Sequence, residues 1–179
     1  MLDAGHGGNG DTGAIGPLGN AGYAEKDVAL NITKKLQSKL LELGANVIMT
    51  RTSDTFISLE DRLKMNRTAK PDLFLSIHLN AVEVNTNAEK ITGLGAWYSK
   101  ELSLDISSVL SSKVTSALGR YNRKTNNSNL YVCRGTWCPA LILETGFICC
   151  PTEFEWLVNE TSQTQLAASI ASSLVDYYR

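Results

Sequence analysis

The chain has 179 residues, 43% of them hydrophobic and 20% charged, and a formal net charge of −1. That length and balance suit one domain with a real core, and so small a charge argues against nucleic acid or a polybasic membrane contact as the partner. No apolar run approaches the roughly 20 residues that span a bilayer, so membrane insertion is not expected either.

A brief strand at the start runs into Asp3-Ala4-Gly5-His6-Gly7-Gly8, and glycines recur at Gly10, Gly13, Gly16, Gly19 and Gly22. Glycines let a backbone approach a ligand closely. A phosphate loop is the obvious rival, but no Gly-Lys-Ser/Thr follows and the spacing is not GxGxxG. The distinguishing residue is His6, in the middle of the loop. So little strand precedes the motif that the chain reads as cropped from a longer one.

Val28, Ile32, Leu36, Leu40 and Leu43 form a helical stripe that Gly44 ends. Glu25 and Asp27 stand at its start, where the helix dipole favours either carboxylate equally. Residues 46–50 predict a strand. Ser58, three residues before Asp61, predicts a capped helix through Arg67. Residues 73–77 predict a buried strand that runs into His78 and Asn80, and the polar stretch 81–92 reads as a loop near a site. A short strand is expected at 95–98. Ile106, Val109, Leu110, Val114, Ala117 and Leu118 mark a helix closed by Gly119. Residues 140–143 predict a strand running into Glu144, and Ser162 with Gln165 is expected to cap a last helix bearing Leu166, Ile170 and Leu174. The strands are continuously apolar, as in a mostly parallel sheet covered on both faces. Strands alternating with helices predict a single α/β domain over residues 1–179, and no repeat or composition break interrupts it.

Cys133, Cys138, Cys149 and Cys150 form no set of CxxC pairs, which disfavours a structural zinc site. Free thiols are the simpler reading; a Cys133–Cys138 bridge stays open for an exported protein.

The chain has only two histidines, His6 and His78, and both follow predicted strand ends, where ligands gather in open α/β sheets. A lone histidine in such a place is more often structural; two change the balance. Glu144, at the end of a buried strand, needs a partner, either Arg134 or a metal-bound water. Two histidines and a glutamate are a ligand set of catalytic zinc, which activates water and polarises a carbonyl. A second glutamate can carry the proton from that water to a leaving amine. These residues together suggest metal-assisted hydrolysis of an amide.

Several blocks, in order, resemble one family: Leu2-Asp3-Ala4-Gly5-His6-Gly7-Gly8; Glu25-Lys26; Thr50-Arg51-Thr52-Ser53-Asp54; Ser58-Leu59 with Arg62; Ser76-Ile77-His78 with Asn80-Ala81; and Pro139-Ala140 through Glu144 to Gly146-Phe147. The family is the zinc-dependent N-acetylmuramoyl-L-alanine amidases of the bacterial cell wall, of autolysin, sporulation and phage-lysin type. The resemblance implies that His6, Glu25 and His78 bind Zn2+ and that Glu144 is the catalytic carboxylate. Arg134 and Asn80 are then expected to contact substrate, with pairing to a carboxylate an equal reading for Arg134. It further implies a twisted, mostly parallel sheet of about six strands flanked by helices on both faces. The implied substrate is peptidoglycan, cut between N-acetylmuramic acid and L-alanine, and the implied location is extracellular or in the cell envelope. An activator protein or wall-binding domain outside this chain would fit the same picture. Cys149-Cys150 stands where the family often has Ser-Asn. Two other readings remain at this point: a catalytically silent wall-binding or regulatory domain, and a zinc peptidase acting within the stem peptide.

Overall fold

The computed structural model describes residues 1–17, 23–82 and 91–179. Gly19, Gly22 and most of the expected loop at 81–92 lie outside the described residues. The strands are β1 (Leu2–Ala4), β2 (Phe74–Asn80), β3 (Leu94–Tyr98), β4 (Asn122–Asn127) and β5 (Ala140–Phe147). The helices are α1 (Glu25–Glu42), α2 (Leu59–Ala69), α3 (Leu104–Leu118), α4 (Tyr131–Arg134), α5 (Pro151–Val158) and α6 (Glu160–Tyr178).

The strands form one sheet in the order β1-β2-β5-β3-β4. All neighbours are parallel except β3 and β5. The α/β architecture is therefore the expected one, a largely parallel sheet of five strands among the described residues. The segment at 46–50 adds only a single bridge: Leu2 N donates to Ile48 O at 2.8 Å and Thr50 N to Leu2 O at 3.0 Å. β1 has three residues and offers too short an edge for a longer ladder. β4 went unpredicted, since Asn-Arg-Lys-Thr-Asn-Asn carries no apolar run.

Strand side chains alternate between faces. Leu75, Ile77 and Leu79 of β2, with Leu141 and Leu143 of β5, point into the main core. There they meet Ile32 and Leu36 of α1, Leu110 of α3 and Ile170 of α6. Phe74 and Ala140 face the opposite way, into a smaller cluster with Val132 and Cys133 of α4. Ser76, His78, Ile142 and Glu144 share that second face by the same alternation.

Helix ends follow their capping residues, with one correction. Ser58 Oγ accepts from Asp61 N at 3.1 Å, as the capping pattern predicts, and α2 continues to Ala69. Gly119 closes α3 at φ 62°. The last helix starts at Glu160 instead of after Ser162. Asn159 is its cap, with Oδ1 accepting from Thr161 N and Ser162 N at 3.0 Å each. Both residues can accept in this way, but Asn159 follows the short α5 directly and has the extended backbone that a cap requires. Cys133, Cys138 and Cys149 carry free thiols.

Candidate metal centre

His6 follows the end of β1, His78 lies near the end of β2 and Glu25 opens α1. Their ligand atoms all lie within 4.8 Å of one another. Glu25 Oε2 is 3.2 Å from His6 Nε2, and Glu25 Oε1 is 3.0 Å from His78 Nδ1. The same carboxylate accepts from Ala14 N and Leu79 N, each at 2.9 Å. Glu25 is thus far more than a helix-dipole residue. The dipole cannot choose between Glu25 and Asp27; the fold does, because only Glu25 meets the imidazoles.

The loop between β1 and α1 is built to hold this arrangement. Gly13 takes φ 65°, and a Cβ there would come within 2.6 Å of Glu25 Oε2 and 2.7 Å of His6 Cδ2. At Gly5 a Cβ would lie 2.7 Å from His78 Nδ1, so the imidazole packs directly on the backbone. The loop also caps α1: Glu25 N donates to Ala14 O at 2.8 Å and Lys26 N to Thr12 O at 3.2 Å. Two of the orphan N–H groups at the helix start are satisfied this way.

His6 has φ 59°, unusual for a residue with a side chain. Two buried arginines hold the strand end and the loop in place. Arg51 donates to Ala4 O at 2.9 Å, to Gly5 O at 2.8 Å and to Lys26 O at 2.7 Å. Arg62 donates to Ala4 O at 2.9 Å and to His6 O at 2.8 Å, and forms a buried ion pair with Asp3. Asp3 also accepts from Thr50 Oγ1 and Ser76 Oγ at 2.6 Å each. On the outer side, Asp54 accepts from Gly8 N at 2.7 Å and pairs with Lys26 Nζ at 2.5 Å. Arg51, Asp54 and Arg62 stand within sequence motifs that carry no sign of these roles. Most of their partners are backbone groups and charged side chains far along the chain, which no local pattern reveals.

Glu144 is paired in register with His78 on one side and Gly95 on the other. Its Oε2 is buried and has no protein hydrogen-bond partner among the described residues. Burial pushes this carboxyl up to about 7; the Glu25 charge adds to the rise, and the two histidines oppose it. At Glu25, burial acts in the same upward sense, but hydrogen bonds from His6 and His78 outweigh it and hold the carboxyl well below its ordinary range. Burial works against protonation of His6, yet hydrogen bonds to Glu25 and Asp11, with their charges, raise it to about 9. His78 is raised as well: the Glu25 hydrogen bond and the charges of Glu144 and Glu25 overcome burial. The surrounding carboxylates thus favour the protonated form of both imidazoles. Two imidazoles and a carboxylate so placed could hold a metal ion, and the donor set suits zinc.

Arg134 does not reach Glu144. It donates to Asn129 Oδ1 at 2.8 Å and stacks over Tyr131 at 5.1 Å. Asn80 ends β2, where its Oδ1 accepts from Ala81 N at 2.8 Å. A cleft of about 180 Å³ opens at the cluster, lined by His6 and His78 together with Asp11, Arg62, Tyr131 and Ile142 among others. A larger cavity of about 660 Å³ lies at the opposite end of the strands, among Leu40, Leu43, Val47, Leu73 and Tyr178, and touches none of the cluster residues.

Residues 1–176 match the family model described as N-acetylmuramoyl-L-alanine amidase. The chain is 33% identical over 177 residues to the Bacillus subtilis protein YqiI, covering 99% of this chain and 83% of that one. It is 33% identical over 179 residues to the N-acetylmuramoyl-L-alanine amidase LytC of the same organism, covering 100% of this chain but only 35% of LytC. Among solved structures, an N-acetylmuramoyl-L-alanine amidase from Clostridium difficile 630 superposes with a TM-score of 0.92 at 36% identity, covering 99% of this chain and 94% of that one.

Proposed function

The chain belongs to the N-acetylmuramoyl-L-alanine amidase family, and from that premise we propose that residues 1–179 act as one zinc-dependent catalytic domain. Its reaction is hydrolysis of the amide between N-acetylmuramic acid and L-alanine in peptidoglycan. Its place of action is the cell envelope or outside the cell; no described helix is long and apolar enough to cross a membrane. The observation that carries the reading is the meeting of His6, Glu25 and His78 beside a buried carboxylate, Glu144, whose Oε2 has no protein partner among the described residues.

In this reading His6, Glu25 and His78 hold the metal, and zinc supplies Lewis acidity at the scissile carbonyl when bound. Glu144 does the proton work. Raised to about 7, its carboxyl can release and take up a proton near neutral pH. It removes a proton from the attacking water as the new C–O bond forms. It then returns that proton to the L-alanine nitrogen as the C–N bond breaks, which leaves a free carboxyl on the lactyl group and a free amine on the peptide. Asn80, at the end of β2 and two residues beyond His78, is proposed to contact the substrate. Arg134, stacked on the cleft-lining Tyr131, has the same proposed role.

Digestion of purified peptidoglycan followed by mass analysis tests this function. New free L-alanine amino termini are expected. Cuts within the stem peptide would make the protein a peptidase instead, and the absence of any cut by the zinc-loaded protein would reduce it to a binding domain.

A further inference from the structure

We infer that Asp11 is a positioning residue for the His6 imidazole, holding its proton on Nδ1 so that Nε2 is the nitrogen presented to a metal. The two ring nitrogens have different partners. His6 Nδ1 lies 2.5 Å from Asp11 Oδ1, while Nε2 faces Glu25 Oε2 at 3.2 Å. The carboxylate therefore stands behind the imidazole, on the side away from the ligand cluster. Its backbone is fixed in that place, since Gly7 N donates to Asp11 O at 2.8 Å across the turn that carries His6. No lysine or arginine ion-pairs with Asp11 among the described residues, and its one charged contact is His6.

Three consequences follow from this placement. A hydrogen bond to ionised Asp11 selects the Nδ1–H tautomer, which leaves the Nε2 lone pair for a metal. It also fixes the ring plane, which matters for a residue carried on a glycine-rich loop at φ 59°. Finally, Asp11 and Glu25 together carry two negative charges, equal and opposite to those of a divalent cation held by two neutral imidazoles. Among the described residues His78 has no such outer carboxylate at hydrogen-bond distance; the carboxylate at its Nδ1 is Glu25 itself, at 3.0 Å.

The inference rests on the zinc reading, and zinc affinity separates the two. Zinc binding is measured by competition with a chelator in the parent protein and in Asp11→Ala and Asp11→Asn. The His6 tautomer is followed by nitrogen-15 NMR of the zinc-loaded proteins. Loss of the outer carboxylate in Asp11→Ala should weaken zinc about 10–100-fold. Asp11→Asn keeps an acceptor oxygen without the charge and should lose less, with the Nδ1–H signal retained but shifted. Unchanged zinc affinity in Asp11→Ala, with a parent that binds zinc, would overturn this inference alone. Should Asp11→Ala fail to fold, unchanged affinity and an unshifted His6 signal in Asp11→Asn would overturn it equally. A parent that binds no zinc would overturn the metal reading and this inference with it. A merely structural role for Asp11 would lower the melting temperature and leave both zinc readouts where they were.

Discussion

His78 and Glu144 are neighbours across two paired strands, yet their substitutions should part company. Glu144→Gln keeps the shape of the side chain and all three candidate ligands but cannot accept a proton. It is expected to bind zinc fully and to lose turnover by about 10²–10⁴-fold. His78→Ala removes a candidate ligand and should lose both zinc and turnover. Zinc content after dialysis, measured beside the rate of muramyl-peptide cleavage, checks both; stoichiometric zinc in His78→Ala would strike His78 from the ligand set. At this scale much of the candidate site was legible, because a chain with two histidines offers few choices; His6 does follow β1, whereas His78 proves to lie within β2, which runs on to Asn80. Glu25 was legible only through family resemblance, since a helix start accepts Asp27 as readily. Its distinguishing marks, 4% exposure and amides donated by Ala14 and Leu79, exist only once α1 and β2 are packed together. Asp11 was one acidic residue in a glycine-rich loop, and nothing local said that the loop would fold back to set it behind His6.

Elements show where capping chemistry can mislead. Ser162 and Asn159 are both competent caps, and the choice depends on where the preceding helix ends. The structure assigns the role to Asn159, so Asn159→Ala should cost about 1 kcal/mol, the usual value of a lost N-cap. Ser162→Ala, which leaves both Asn159 bonds in place, should stay within about 0.5 kcal/mol of the parent. Urea denaturation of the two variants decides between them, and the reverse order would restore Ser162 as the cap. Apolar stripes made α1, α3 and α6 readable, and unbroken apolar runs did the same for β2 and β5. β4 escaped because its ladder is made by backbone against β3 while its side chains stay polar. α5 escaped because it is eight residues long and opens on Pro151, which suits a first turn but resembles a breaker when read alone.

For the molecule as a whole, metal binding and folding should be linked. The candidate ligands come from three separate parts of the chain and converge only in the native state. Free zinc at a hundredfold excess over Kd would stabilise the fold by about 2.7 kcal/mol. At roughly 2–4 °C per kcal/mol for a domain of this size, chelation should lower the melting temperature by about 5–10 °C. The pH dependence has a definite sign. His6 is raised from 6.5 to about 9, so its protonation stabilises the metal-free fold below 6.5, and that contribution is lost as pH rises through about 9. Zinc competes with the same proton and gains affinity over the same window. The gap in melting temperature between zinc-loaded and chelated protein should therefore widen from pH 6.5 to pH 9, as calorimetry would record; a gap that narrows would contradict the proposed role of His6. The far end of the sheet bears on a different property. β4 is the last strand, its outward surface is amide and cationic, and Lys124 sits at φ 63° where the pairing with β3 shifts register. Such a border gives another chain's strand little to zip onto. That edge therefore disfavours the growth of ribbons from copies of this chain joined strand to strand.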